Sequence, residues 1–209
     1  MDAAAGDLSI DATYKLLTGL IVPRPIAWVT SLSEQGVVNL APFSAFTFLS
    51  TKPPMIGISV TLRAGALKDT ARNIIERKEF VVNLVDEAIA VQMHGCSNDM
   101  PPEVSELEAV GLSGVPSVAV SVPRILEAPA ALECTLHSDI SIDRRRILIG
   151  RVRHLHVRDG LVDPQTLRID MSVYQPVGRL FANHYCHTGD RFTLQKNAYL
   201  EQMEQEGRT

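Results

Sequence analysis

Residues Arg24–Ser31 read RPIAWVTS, and Asn39–Val60 read NLAPFSAFTFLSTKPPMIGISV. Pro23 and Pro25 stop any helix arriving from the N-terminal side, because proline lacks the N–H that a helix interior needs. Ile26, Ala27, Trp28 and Val29 then form a short apolar run closed by turn formers, the pattern of a buried strand. Ser33-Glu34-Gln35-Gly36 supplies a turn, and Val37 to Leu40 returns as the second arm of a hairpin. A third strand is expected over Phe43 to Leu49 and a fourth over Met55 to Val60, with Pro53 and Pro54 in the connection, where no ladder hydrogen bond is lost. The four strands read as a β-meander.

Upstream, Asp11 to Leu20 carries Leu16, Leu17 and Leu20 at helical spacing, with Asp11 placed to cap. Downstream, Leu67, Ala71, Ile74 and Ile75 recur on one helical face, so a helix is expected over Thr70 to Lys78 with Asp69 as its cap. Phe80 to Val85 is a continuous apolar strand, and Glu87 to Gly95 reads as helical. Ser97 to Ser117 is rich in Pro, Gly and acidic residues, an irregular excursion with a short helix near Glu103 to Ala109. Two long strands, Ala131 to Ile142 and Ile147 to Val157, flank a turn at Asp143 to Arg146, and Arg158-Asp159-Gly160 marks another turn. Many antiparallel strands with separated helices point to a mainly β fold in which the sheet closes as a barrel and so removes its exposed edges. Asn197 to Gln205 places Tyr199, Leu200 and Met203 on one helical face, to pack either on this barrel or on a partner subunit.

The 209 residues fit one domain over 1–209, with a core at about 10–195 and a C-terminal tail at 196–209. A composition of 45% hydrophobic and 21% charged residues is ordinary for a globular chain. No apolar run approaches the roughly 18 residues of a membrane span. The acidic N-terminus has no signal-like apolar core, so the expected location is the cytoplasm. A net charge of −4 argues against a nucleic-acid partner, which requires a basic stripe. Cys96, Cys134 and Cys186 are widely spaced and odd in number, which excludes a disulfide framework or zinc ribbon. His154 and His156 share a strand face but have no third ligand at suitable spacing, and His184, Cys186 and His187 are too close together for an ordinary zinc set, so no metal is assigned.

The chain has no G-x-S-x-G, H-E-x-x-H or Walker loop, and no nucleophile with an adjacent base. It offers instead hydroxyls and amides at strand ends: Thr30, Ser31, Asn39, Ser44, Thr47 and Ser59. Taken singly these are ordinary strand-end and turn residues. As a set they suit a planar, amide-like heterocycle, whose edge alternates donors and acceptors, better than they suit hydrolysis.

Four segments, RPIAWVTS, NLAPFSAFTFLSTKPPMIGISV, KDTARNIIERKEFVVNLV and YQPVGRLFANHYCHTGDRF, spread over about residues 10 to 195. Through them the chain resembles the flavin reductase-like, FMN-binding split-barrel family, which includes flavoredoxins and the flavin reductase components of two-component monooxygenases. The resemblance implies a split β-barrel of antiparallel strands with peripheral helices, a homodimer, and FMN as cofactor with FAD as the alternative. It implies NADH or NADPH as hydride donor, and a monooxygenase as a partner that takes the reduced flavin. It places Arg24, Thr30, Ser31, Asn39, Pro42, Phe43 and Ser44 beside the isoalloxazine and ribityl chain, and Ser59 joins them as a cofactor-binding hydroxyl. The flavin phosphate falls at Lys68 and Thr70, where a helix N-terminus favours an anion. Arg63 is either a second phosphate partner or a solvated loop cation, and Asp69 caps the helix or orients Lys68 or Arg72.

Hydride transfer to flavin N5 asks the protein for alignment more than for proton transfer, so no acid–base residue is assigned. Family members commonly read G-R-L-G-G where this chain has Gly178-Arg179-Leu180-Phe181-Ala182. Two glycines are thus replaced by bulkier residues, which makes Phe181, Asn183, His184 and Tyr185 a candidate substrate pocket, with core filling as the alternative for Phe181. Arg144 to Arg146 either selects NADPH through its 2′-phosphate or is a charged hairpin tip. The alternatives to a flavin reductase are a flavoredoxin-like electron carrier with bound FMN and an FMN-dependent enzyme acting on another small molecule.

Overall fold

A computed structural model describes residues 2–98, 100–101 and 103–194. Helix α1 (Ile10–Leu20) precedes strands β1 (Ala27–Leu32), β2 (Val38–Phe43), β3 (Phe46–Thr51) and β4 (Pro54–Thr61). Helix α2 (Asp69–Arg77) leads into β5 (Glu79–Asn83), and a 3₁₀ turn at Glu87–Ile89 runs into α3 (Ala90–Gly95). Helix α4 (Glu106–Ala109) and the small pair β6 (Gly114–Val115) and β7 (Arg124–Ile125) interrupt the excursion. The long hairpin β8 (Ala130–Ile142) and β9 (Arg145–Val157) follows, then the pair β10 (Val177–Arg179) and β11 (Tyr185–His187).

β1 reads as a continuous apolar run because both of its faces are buried. Ala27 and Val29 join a cluster with Phe43, Ile58, Phe80 and Leu148 inside the sheet, whereas Ile26 and Trp28 join Leu40, Val85, Met93 and Ile125 outside it. Alternation of side chains along a strand produces exactly two such faces. Trp28 and Phe80 are fully buried, each worth about 2–3 kcal/mol in apolar transfer.

The expected meander is corrected. β1 and β2 pair, as do β3 and β4, but β2 and β3 do not pair with each other; the seven-stranded antiparallel sheet runs β2-β1-β5-β8-β9-β4-β3. β2 and β3 are therefore its two ends, joined in sequence by Ser44 and Ala45 alone. Two residues span roughly 7 Å, so the sheet must curl until its ends meet at this corner. There the N–H of Ser59 donates to the carbonyl of Ala45 at 2.8 Å. The corner also corrects the third strand, which begins at Phe46; Phe43 ends β2.

Both helix caps differ from expectation. Ser9 caps α1, its Oγ accepting the N–H of Ala12 at 3.2 Å, while Asp11 lies inside the helix and pairs with Lys15. Lys68 is the N-cap of α2; Asp69 is the first helical residue and pairs with Arg72 at 2.5 Å. The expected helix over Asn197 to Gln205 lies outside the described residues.

Candidate functional site

Edge strand β2 and the N-terminus of α2 bound a cleft. Two adjoining cavities, of about 500 and 690 Å³, share Tyr14, Pro42, Phe43 and Lys68 and so form one elongated depression. Its first part is lined by Asn39, Arg63, Thr70, Cys96, Glu106 and Arg179, and its second by Arg24, Ser44, Thr47, Ser59, Thr61 and Arg145. Ten of the eleven expected cofactor residues fall on this cleft or directly behind it; Thr30 does not.

The α2 end of the cleft brings the helix N-terminus and Lys68 together with the Asp69 carboxylate. The N-cap Lys68 contributes no side-chain acceptor to the first turn, and the first intrahelical bond is Arg72 N–H to the Lys68 carbonyl at 3.0 Å. The N–H groups of that turn thus keep their partial positive charge at the cleft. The preceding loop is folded back by reciprocal bonds between Arg63 and Ala66 at 2.9 and 2.8 Å, with Gly65 at φ 84 providing the left-handed step.

Asn39 couples the strand to this helix. Its side-chain nitrogen donates to Thr70 Oγ1 at 2.8 Å and to Ser31 Oγ at 3.2 Å, and Ser31 Oγ also accepts from Asn73 at 3.3 Å. Ser31 is fully buried, so it supports Asn39 from behind and does not touch a ligand directly. Thr30 is corrected more strongly. It is fully buried on the other face of β1, donating to the Pro123 carbonyl at 2.7 Å and accepting from Asn83. A one-residue step along a strand reverses the side chain, which is why neighbours in one motif have different tasks.

Arg24 is likewise committed. It donates to the carbonyls of Thr18, Ile21 and Leu180 and, through Nε at 3.4 Å, to Ser44 Oγ. Burial, reinforced by the nearby Arg179 charge, pulls its pKa below the usual arginine range. Arg24 therefore ties the C-terminal end of α1 to the cleft wall. Glu106 accepts the N–H of Leu40 at 2.9 Å, and burial raises its carboxyl above the ordinary range. Burial also pushes the Cys96 thiol up to about 12, so it is not a thiolate nucleophile.

Phe181, Asn183 and His184 are exposed on a turn closed by Leu180 N–H to the His184 carbonyl and His184 N–H to the Phe181 carbonyl. The Phe181 and His184 rings lie 4.7 Å apart, and none of the three lines either part of the cleft. Tyr185 does connect to it, by accepting from Arg179. Gly178 allows this approach, since a Cβ there would stand 2.7 Å from Pro23 and 2.9 Å from Cys186 Sγ. His156 is engaged by Glu133 at 2.5 Å and His187 by Glu87 at 2.6 Å. Within the arginine run, Arg146 forks onto Asp139 across the hairpin, whereas Arg145 lines the cleft.

Several lining residues are not assigned to the site from the sequence: Tyr14, Leu17 and Thr18 of α1, its C-cap Ile21, and Glu106 and Arg179. The only available signal was the apolar stripe of α1, which looks the same in a core-packing helix.

Comparison with known proteins gives a consistent result. The family model for the flavin reductase like domain matches residues 19–189. The Bacillus subtilis protein YwrF is 43% identical over 196 residues, covering 91% of this chain and 96% of that protein. The crystal structure of 2-nitrobenzoate 2-nitroreductase NbaA from Pseudomonas fluorescens shares 42% identity with a TM-score of 0.86, over 93% of this chain and 95% of the other. Nitrilotriacetate monooxygenase component B from Bacillus cereus shares 37% identity with a TM-score of 0.88, over 93% and 98%.

Proposed function

The chain belongs to the flavin reductase-like family, and from that premise we propose that it binds FMN and acts as an NAD(P)H-dependent flavin reductase. The observation that carries this reading is the side-chain-free N-terminus of α2, which opens with Lys68 and Thr70 into the same cleft as Asn39, Pro42, Phe43 and Ser44. Phosphate suits the first, through orphan N–H groups and a cation. An aromatic ring with a ribityl chain suits the second, through an apolar wall with a few polar groups.

In this assignment Lys68, the α2 N–H groups and Arg63 hold the phosphate. Asn39, positioned by Ser31 and Thr70, fixes the approach of β2, and Ser44 and Ser59 offer hydroxyls along the second part. Arg24 holds α1 over that part by its C-terminal carbonyls. Arg145, which lines the second part, is assigned to a phosphate of the nicotinamide cofactor. FMN supplies hydride acceptance at N5 when bound. The protein's share is alignment and exclusion of water. Supply of the reduced flavin to a monooxygenase is favoured by the likeness to nitrilotriacetate monooxygenase component B.

A second reading, direct reduction of a nitroaromatic carboxylate, is favoured by the 42% identity to the 2-nitrobenzoate reductase. One experiment separates these outcomes. Purified protein is titrated with FMN, then mixed anaerobically with NADH or NADPH while the flavin band is followed, with and without 2-nitrobenzoate. Bleaching that persists when 2-nitrobenzoate is added supports the reductase, and return of the flavin colour with consumption of 2-nitrobenzoate supports the second reading. A protein that neither binds added FMN nor catalyses its reduction defeats both.

A further inference from the structure

Resting on that reading of the cleft, we propose that Arg179 is a second, separate oxyanion-binding group: it takes the carboxylate or phosphate of the molecule that meets the flavin, and Tyr185 and His94 hold it in place for that purpose.

The cleft's cations differ in what they have left to offer. All three nitrogens of the Arg24 guanidinium are hydrogen-bonded to the protein, two of them to carbonyls. Arg179 has a different pattern. Its Nη1 donates to Tyr185 Oη, while Nε and Nη2 have no protein acceptor among the described residues. Neither of those atoms is a buried orphan, and Arg179 lines the open cleft, so the Nε–Nη2 edge is left for a ligand there. That edge presents two parallel donors, the fork that matches a carboxylate or phosphate.

The side chain is also immobilised to a degree unusual for a surface arginine. Its backbone is clamped on two sides: Arg179 is the register partner of Tyr185 in the β10–β11 pair, and it exchanges N–H···O bonds of 2.9 Å with Arg24. The guanidinium carbon lies 4.6 Å from the centre of the Tyr185 ring, a cation–π stack. Behind the tyrosine, His94 of α3 places Nδ1 3.0 Å from Tyr185 Oη, with the rings edge to face at 5.7 Å. A phenol has one proton. Arg179 can only donate, so Tyr185 accepts from it and keeps its own O–H to donate; with the His94 proton on Nε2, that O–H hydrogen-bonds to His94 Nδ1. The chain His94–Tyr185–Arg179 thus has a single direction, and it pre-orders the fork before any ligand arrives, which lowers the cost of binding.

The test uses flavin-loaded protein and three pairs of probes that differ in an anionic group: 2-nitrobenzoate against 2-nitrobenzamide, NADH against the phosphate-free donor 1-benzyl-1,4-dihydronicotinamide, and FMN against riboflavin. Arg179→Met should raise the KM or Kd of the anionic member of the first or second pair by roughly ten- to hundredfold, the range for a lost charge-assisted pair. The neutral member should stay within about twofold. Arg179→Lys should recover little, because an ammonium offers no fork. Tyr185→Phe and His94→Phe should move the same ratio by about threefold or more, and His94→Gln, whose amide oxygen can accept the phenol proton, should restore it. The proposal is overturned by equal losses for charged and neutral members, by no change in either ratio, or by a loss confined to FMN over riboflavin, which would make Arg179 a ligand of the flavin phosphate. If the wild type takes up no flavin, the functional reading fails separately. Calorimetric binding of 2-nitrobenzoate against its amide to the flavin-free protein then still decides on Arg179: discrimination that disappears in Arg179→Met supports it, and its persistence or absence overturns it.

Discussion

The side-chain nitrogen of Asn39 on edge strand β2 donates to Thr70 Oγ1 in the first turn of α2 at 2.8 Å. This bond joins the wall of the cleft to its α2 end, and Thr70 is almost fully buried around it. Asn39→Ala should therefore leave the buried hydroxyls of Ser31 and Thr70 without their shared donor. The expected cost is about 1–3 kcal/mol, read as a lower denaturant midpoint, together with weaker FMN binding. An unchanged midpoint would show that the link is not structural.

Lys68→Ala should weaken FMN by about five- to twentyfold, the loss of one charge-assisted contact, and leave riboflavin within about twofold. Fluorescence quenching of each flavin by the protein measures both. Equal losses for the two would place the phosphate elsewhere.

Glu133 gives the fold an acid-sensitive joint. It is fully buried; burial alone would raise its carboxyl, but the N–H of Val118, the His156 ring and the N–H of Ala119 outweigh this and hold it below the ordinary range. A carboxylate with a depressed folded-state pKa contributes stability above its unfolded value, near 4.3, and loses that contribution as the pH falls through the folded value. Stability should thus decline below about pH 4.3 with a component absent from Glu133→Gln. Urea midpoints between pH 3 and 7 check this, and parallel acid limbs for the two proteins would refute it.

The ring of Phe80 on β5 reaches over β8 to Gly150 on β9, and a Cβ there would run into that ring and stand 3.3 Å from the Cβ of Cys134. Gly150→Ala should cost about 1–3 kcal/mol through overpacking, with an unchanged denaturant slope. A neutral result would mean that the Phe80 ring moves freely aside.

Ala182 occupies the left-handed region at φ 44, which costs a residue with a Cβ about 1 kcal/mol relative to glycine. Ala182→Gly should raise Tm by roughly 2–4 °C. Because the residue lies on an exposed turn outside the cleft, flavin affinity should not change.

The strands were legible because burial on both faces writes itself as apolar runs: Ala27 to Val29 and Phe80 to Val82 are examples. Their order was not, because β1 pairs with β5 and β4 with β9 across long stretches of chain, and nothing local encodes a distant partner. In the cleft, Lys68 and Asn39 could be anticipated from a helix start and a polar strand residue. Thr30 misled because a motif does not record which way each side chain of a strand points. Arg179 escaped notice since its value lies in Tyr185 and His94 behind it, and His94 is brought there from another part of the chain by α3.

The joint at Ser44 and Ala45 also has a kinetic meaning. Its two flanking strands ladder only onto their hairpin partners β1 and β4, but those partners reach the rest of the sheet through remote segments: Trp28 must find Asn83 and Ile56 must find Gly150. Loop-closure entropy is lost before those contacts form. Such long-range pairing belongs to chains that refold in milliseconds to seconds, so the two hairpins that meet at Ser44 are expected to be locked into one sheet, and the cleft between them shaped, only late in folding.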